Sequence, residues 1–391
     1  MAVYKIFPEK DATVYSLFPN MNTGMDEIIE ATETSFAYSD PNPQTSRFLI
    51  KFNNDDLNTA FDLIPDNVYN SGSWKANLQC YIATSTGMNA TTTLECYPVS
   101  GAWDMGTGRY LDEPSVTNGV SWIWRTYSGS IKWPTVIASL GSNVTASYNV
   151  SYSFAGGGTW YTGSPNLSLF NSNTNPITQS TNFTFYSTKD LNLDVTNTIK
   201  FWATITPSWS NDGFIIKQKD EFIDNRDVQP ELKYFSRDTH TIYPPALQIS
   251  WFDFNWNTGS SKQTVLNTTP ATLTLAQNPG TFYPESINRF RINARPEYPV
   301  QIWETSSVYL NNFYLPSGSS LYAIKDLDTN EYIIDFDSQY TQISADATSS
   351  YFDIYMNGLE PERYYAILIQ TNLNGSKIVF DNQYYFKVIN G

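Results

Sequence analysis

A chain of 391 residues with 38 acidic and 23 basic side chains carries a formal net charge of −15, and 16% of it is aromatic. The length exceeds what one hydrophobic core usually organises, which predicts two domains. The charge argues against a nucleic-acid glove, which needs a basic face to displace phosphate counterions, and suits a soluble surface or a cationic partner.

The opening "MAVYKIFPEK" has no basic segment followed by an apolar core, so a chain without a secretory leader is expected. No apolar run approaches the length that crosses a bilayer. Residues 25 to 34, "MDEIIEATET", read as a solvated surface strand whose charges discourage edge pairing. Strand-like runs then recur: "RFLIKFN", "ANLQCYIATS", "ASYNVSYSF", "TNFTFYST", "NTIKFWATI", "GFIIKQ" and "ALQISWFDF". Short aromatic-rich strands between Gly, Asn, Ser and Pro punctuation predict sandwiches or barrels, and long amphipathic helical patterns are missing. The expected class is all-β. Cys80 and Cys96 read as two small buried thiols, with a disulfide as the alternative. The triplets at Asn143 and Asn182 read as accidents of an Asn/Thr-rich composition rather than glycan acceptors. A polar stretch, "NWNTGSSKQTVLNTTP" at 255 to 270, predicts a linker, hence domains at 1–257 and 258–391.

A series of motifs runs through the first domain. Asp11-Ala12 with Tyr15 leads to Asn22-Thr23-Gly24, then Ser46-Arg47 with Leu49-Ile50-Lys51-Phe52, then Ala76, Leu78 and Tyr81. Gly101-Ala102-Trp103, Gly119-Val120-Ser121-Trp122, Phe154 before Gly156-Gly157-Gly158, and Asp194-Val195-Thr196 before Trp202 follow. Asn211-Asp212-Gly213-Phe214, Phe235-Ser236-Arg237 and Pro245-Ala246-Leu247 through Trp251 close it. In this order they resemble the DNRLRE family of jelly-roll β-sandwiches, which are related to carbohydrate-binding modules and occur in adhesins and phage virion proteins. The resemblance implies a jelly-roll-like sandwich; longer loops at 54–73 and 161–180 depart from the pattern, so no ligand-loop residue carries over. Trp103, Trp122, Trp202 and Trp251 read as core anchors.

In the second domain Leu359, Pro361 and Tyr365 have the spacing of a tyrosine corner and resemble fibronectin type III and immunoglobulin-like domains. A smaller immunoglobulin-like β-sandwich is implied. The surrounding text also resembles C-terminal domains of virion proteins of large contractile-tailed phages.

Residues that could carry chemistry select no site. His240 is the only histidine, and no G-x-S-x-G elbow accompanies a serine. The triple glycine lacks the Lys-Ser/Thr of a phosphate loop. Asp326, Asp328 and Asn330 start like a calcium loop, but Glu331 stands where glycine is needed, and a β-hairpin turning on 327–330 accounts for them. No catalytic, cofactor or metal residue is nominated. The expectation is a non-enzymatic structural component of a tailed-phage virion, associated with neck, tail or baseplate. It would be present as a symmetric homo-oligomer contacting other virion proteins, made in the host cytoplasm and without membrane insertion. The alternative is a host-adhesion module (or head fibre or decoration protein) binding glycan through Trp124, Trp133, Trp160 and Tyr161, aromatic residues in expected loops.

Overall fold

The computed structural model describes residues 2–34, 44–87, 91–134, 144–146, 156–163, 166–167, 172–174, 176–203, 210–219, 221, 230–260, 263–266, 270–276, 278–298 and 312–389. The chain forms two compact units, one spanning residues 6–249 and one built from residues 250–391 together with those up to Lys5. Residues 250–257 group with the second unit. The reason is pairing: Trp251 packs edge-on against Tyr355 with ring centroids 5.2 Å apart. Trp256 bridges to Ala345, and Thr264–Val265 runs parallel to Phe313–Tyr314. The stretch that reads as a linker is thus tied into the second sandwich, where Leu266 enters the core.

In the first unit Gln44–Phe52 is the organising strand. It pairs antiparallel with Pro8–Tyr15, with Lys10 opposite Lys51 and Tyr15 opposite Ser46. It also pairs with Phe214–Gln218, which passes to Thr92–Pro98 and then Gln179–Phe183. Its first residues pair with Ile28–Thr34, Glu33 opposite Thr45. That strand passes to Glu231–Phe235 and Ile82–Thr86. A second sheet sets Trp74–Cys80 between Ala246–Trp251 and Leu191–Asp194. Trp74, Ala76, Leu78 and Cys80 are buried in strict alternation, the period-two pattern of a strand with one face in a core. This unit is the jelly-roll-like sandwich.

Among the described residues of the first unit, three short α-helices interrupt the β pattern. The loop 54–73 folds as Asn54–Asp62 and Asp66–Ser71. Asn53 caps the first by accepting from the Asp55 N–H at 2.8 Å, and Leu57 and Ala60 are its buried face. The run "NTIKFWATI" is corrected from strand to helix over Thr196–Trp202: Asp194 accepts from the Thr196 N–H at 3.0 Å, and Ile199 and Phe201 are buried. The expected strand "ASYNVSYSF" lies, apart from Ala146, outside the described residues.

The second unit is the immunoglobulin-like sandwich. Ile287–Pro296 pairs with Ala271–Ala276 and with Ser350–Tyr355 in one sheet. Tyr364–Leu373 pairs with Leu321–Asp326 and with Ser376–Val388 in the other, and Thr281–Phe282 adds parallel to the last of these. The core between them is aromatic: Tyr322 stacks on Phe352 at 4.4 Å, and Phe352 on Phe290 at 5.5 Å. The corner forms as its spacing implies. Tyr365 donates its hydroxyl to the Glu360 carbonyl at 3.0 Å, and Leu359 is buried in the core. Asp326 turns the 327–330 hairpin by accepting from the Asp328 and Thr329 N–H groups at 2.7 and 3.2 Å, and its other oxygen takes Arg363. Asn330 supplies the positive φ of the turn.

Candidate functional site

The site grows from a change of partner in the first unit. Pro8–Tyr15 ends opposite Ser46, and Ile28–Thr34 takes over opposite Thr45. Hydroxyls knit the junction where ladder bonds change hands. Ser46 Oγ accepts from the Thr32 N–H at 2.9 Å, and Thr13 Oγ1 accepts from the Glu30 N–H at 3.1 Å. Thr23 Oγ1 accepts from the Thr13 N–H at 3.0 Å and donates to the Thr13 carbonyl at 2.7 Å. Backbone groups that would otherwise be orphaned are thus paired.

Beside this junction lies a cavity of about 90 Å³. Tyr15, Leu17, Phe18 and Tyr110 give it an apolar side, and Glu30, Thr32, Thr45, Ser46, Glu231 and Lys233 a polar one. The Tyr110 ring lies 5.0 Å from Tyr15 and edge-on to Phe18 at 6.1 Å, yet Tyr110 stays 44% exposed. Its backbone N–H donates to Asp26 at 3.3 Å. Lys233 bridges Glu30 at 3.0 Å and Glu231 at 3.8 Å. Burial, reinforced by the neighbouring Glu30 carboxylate, holds the Tyr15 phenol well above its usual pKa, so it stays protonated and donates to Glu30. Thr45 Oγ1 is buried and without a hydrogen-bond partner among the described residues.

This geometry corrects the acid-rich stretch. Ile28–Thr34 is not a solvated edge but an inner strand, flanked by Gln44–Phe52 and Glu231–Phe235. Glu30 and Glu33 are buried, and Lys233 meets Glu30 from a strand some two hundred positions away in the sequence.

The residues expected to stack glycan do not form a strip. Trp133 is 1% exposed and donates its indole N–H to the Ser121 carbonyl at 3.0 Å. Trp160 is buried too, with Tyr97 at 5.6 Å and the Arg47 guanidinium 5.3 Å from its ring. Both are core side chains that pack with Leu49 and Ile215 of the large sheet, and Trp160 lies on a short strand, Thr159–Tyr161, paired with Val144–Ala146. Trp124 is half-buried, donates to Asn20 at 3.0 Å and lies under Lys132. Tyr161 is half-buried beside Trp160. Trp103, Trp122 and Trp251 are buried as core anchors, and Trp202 is half-buried against Phe214 at 5.0 Å.

A second polar cluster sits under those tryptophans. Arg47 forms a fork on Glu221, with Nη2 at 2.7 Å and Nε at 3.0 Å, and donates Nη1 to the Gly157 carbonyl at 2.6 Å. Lys217 lies 3.4 Å from Glu221 and 3.6 Å from Glu95. Arg47 also faces the Trp122 ring at 4.8 Å. Gly157, at φ +75°, brings its backbone so close that an added Cβ would meet that ring at 2.7 Å. The triple glycine serves this packing. Arg47 and Lys217 each face a carboxylate here, so the buried charges of this cluster are paired.

His240 is 86% exposed on its side chain, with Glu27 at 3.4 Å as its carboxylate neighbour. Cys80 and Cys96 are free and buried, and burial pushes both thiols up. Among the described residues no group of His, Cys, Asp or Glu could hold a metal ion, and no helix is long and apolar enough to cross a membrane.

Fold and site together define a two-sandwich all-β protein with a shallow aromatic and polar cavity in its first unit. No protein-family model matches the chain, and no curated protein matches it.

Proposed function

We propose that the chain is a non-enzymatic structural component of a tailed bacteriophage particle. It would stand at the neck, tail or baseplate, in symmetric copies that contact other virion proteins. The observation that carries this reading is the set of large aromatic side chains left facing water. Tyr186 is 94% exposed and Tyr298 81%. Phe185 lies edge-on to Tyr186 at 5.3 Å and is itself mostly exposed. Aromatic residues are enriched where proteins meet, and exposed apolar groups of this size are more stable when a neighbour covers them. The motif order described above supports the choice of particle.

The test is mass spectrometry and electron microscopy of gradient-purified particles from lysates of the infected host. The protein should be found in the particle as a repeated density that fits its two sandwiches. Its absence from purified particles would sink the proposal.

A further inference from the structure

We propose that a second copy of this chain docks on the open sheet edge at Ser376–Phe380. The two strands pair antiparallel about a two-fold axis at Val379, so that one sheet runs on into the other. The inference goes beyond the proposed function in naming the joining surface, and it holds whether or not the protein is part of a phage particle.

Three observations carry it. First, the edge is long and covered at one end. Ser376–Val388 runs for 13 residues, bonded along one side to Tyr364–Leu373. On the other side Thr281–Phe282 takes Lys387 and Val388, and the Asn278 amide donates to the Tyr385 carbonyl at 3.0 Å. Ser376–Phe380 has no strand on that side among the described residues. Sheet edges are usually kept short, bulged or charged against pairing, whereas this segment presents Ile378 and Val379, 38% and 47% exposed. Second, the hairpin holds the edge in shape. Asn374 and Gly375 close it as a two-residue turn with φ +55° and +78°, whose twist matches the strands it joins. Leu373 is buried and Phe380 packs on the same core, so little ordering remains for a partner to impose. Third, the edge is complementary to itself. With the axis at Val379, Ile378 meets Phe380 of the second copy, and Lys377 meets Asp381, each pair occurring twice. Lys377 and Asp381 are both exposed, and Asp381 accepts from the Gln383 N–H at 3.2 Å through one oxygen, which leaves the other to face the ammonium. Apolar and opposite-charge pairs across a ladder both stabilise it. Moving the axis one residue either way sets Lys377 or Asp381 opposite Val379 instead. A sequence that matches its own reverse is what an isologous contact requires, and it selects a second copy of the chain over an unrelated strand.

The test is analytical sedimentation of the full chain up to about 200 µM at constant salt, where a dimer should form. Lys377→Asp and Asp381→Lys each set like charges face to face at both ends of the contact, and each should weaken the dimer about tenfold or more. An equimolar mixture of the two variants should regain it, because an all-acidic edge then meets an all-basic one. Val379→Lys, which brings two ammonium groups together at the axis, should abolish the dimer, and Tyr186→Ala should leave it unchanged. Circular dichroism melts that match the parent would show each variant folded; should one charge reversal fail to fold, Val379→Lys against Tyr186→Ala decides. A chain that stays monomeric at about 200 µM, leaving the edge to a different protein, would overturn the inference. So would a dimer indifferent to the edge variants, one lost equally in Tyr186→Ala, or a mixture that associates no better than either variant alone.

Discussion

Asn22 has no exposed surface, yet it is one of the most connected side chains in the protein. Its amide donates to the Met105 and Val120 carbonyls at 2.7 and 2.8 Å and accepts from the Gly108 N–H at 2.8 Å. The space for it exists because residue 106 is glycine: at φ +81°, an added Cβ would lie 2.3 Å from the Asn22 amide oxygen. Asn22→Ala strips these three partners and the Gly24 N–H, which also donates to the amide oxygen at 3.3 Å, and should cost about 2–4 kcal/mol of stability, read by urea unfolding. Asp11 poses the opposite problem. Burial pushes its carboxyl from 3.8 up to about 7, against the bond it accepts from the Arg237 N–H at 2.7 Å. Below about pH 4 the group is protonated in folded and unfolded chains alike. Between 4 and 7 only the unfolded chain ionises freely, so stability falls as pH rises through that window. Asp26, pushed by burial up to about 6, acts in the same direction. Asp11→Asn keeps an acceptor and removes the charge. It should raise stability at pH 8 by about 1–3 kcal/mol and leave it unchanged near pH 4, which melting curves at the two pH values would show. A variant equally stable at both values relative to the parent would contradict this account.

At the scale of elements, the strand Gln44–Phe52 divides its labour between faces. Phe48 turns toward Tyr234, while Arg47 turns toward Trp122 and Trp160. Removing the guanidinium would leave Glu221 buried with Lys217 as its one cation among the described residues. Arg47→Met should therefore cost about 3–5 kcal/mol, and Arg47→Lys should recover only part, since an ammonium cannot reproduce the fork. The second unit offers a gentler test. Tyr365→Phe deletes the bond to the Glu360 carbonyl without disturbing the ring stack on Phe386, and should cost about 1–2 kcal/mol. These two cases mark what was legible in the sequence. The corner could be read because its parts lie within seven consecutive positions and its geometry follows from local backbone. The helix at Thr196–Trp202 could not, because Ile, Phe and Trp favour strands, while packing against Trp74–Cys80 and the Asp194 cap decided otherwise. The cavity was invisible for a different reason. Tyr15, Glu30, Thr45, Tyr110 and Lys233 come from five separate segments, and their meeting depends on strand order, which no local pattern encodes. For the same reason Glu30 read as a solvated acid until Lys233 was found across the ladder.

For the molecule as a whole, the excess of 15 negative charges keeps copies apart in dilute solution, so any assembly through exposed aromatics should tighten as salt screens that repulsion. Sedimentation across 0.05–0.5 M salt would show it, and assembly that loosened with salt would point to ionic contacts instead. The all-β class was legible in the alternation of the strands, but the pairing of 255–257 was not, because polar, small residues look like a linker whether or not they pair. Nor was it legible that Val3 packs in the core of the second unit. The strand that carries Val3 also bears on how the protein is made. Ala2–Ile6 leave the ribosome first, while the strand they pair with, Ala246–Trp251, emerges some 240 residues later. At about 5–20 residues per second, the early strand waits tens of seconds for its partners. Throughout that delay Ala2–Ile6 has no ladder partner while the strands between it and Ala246–Trp251 emerge.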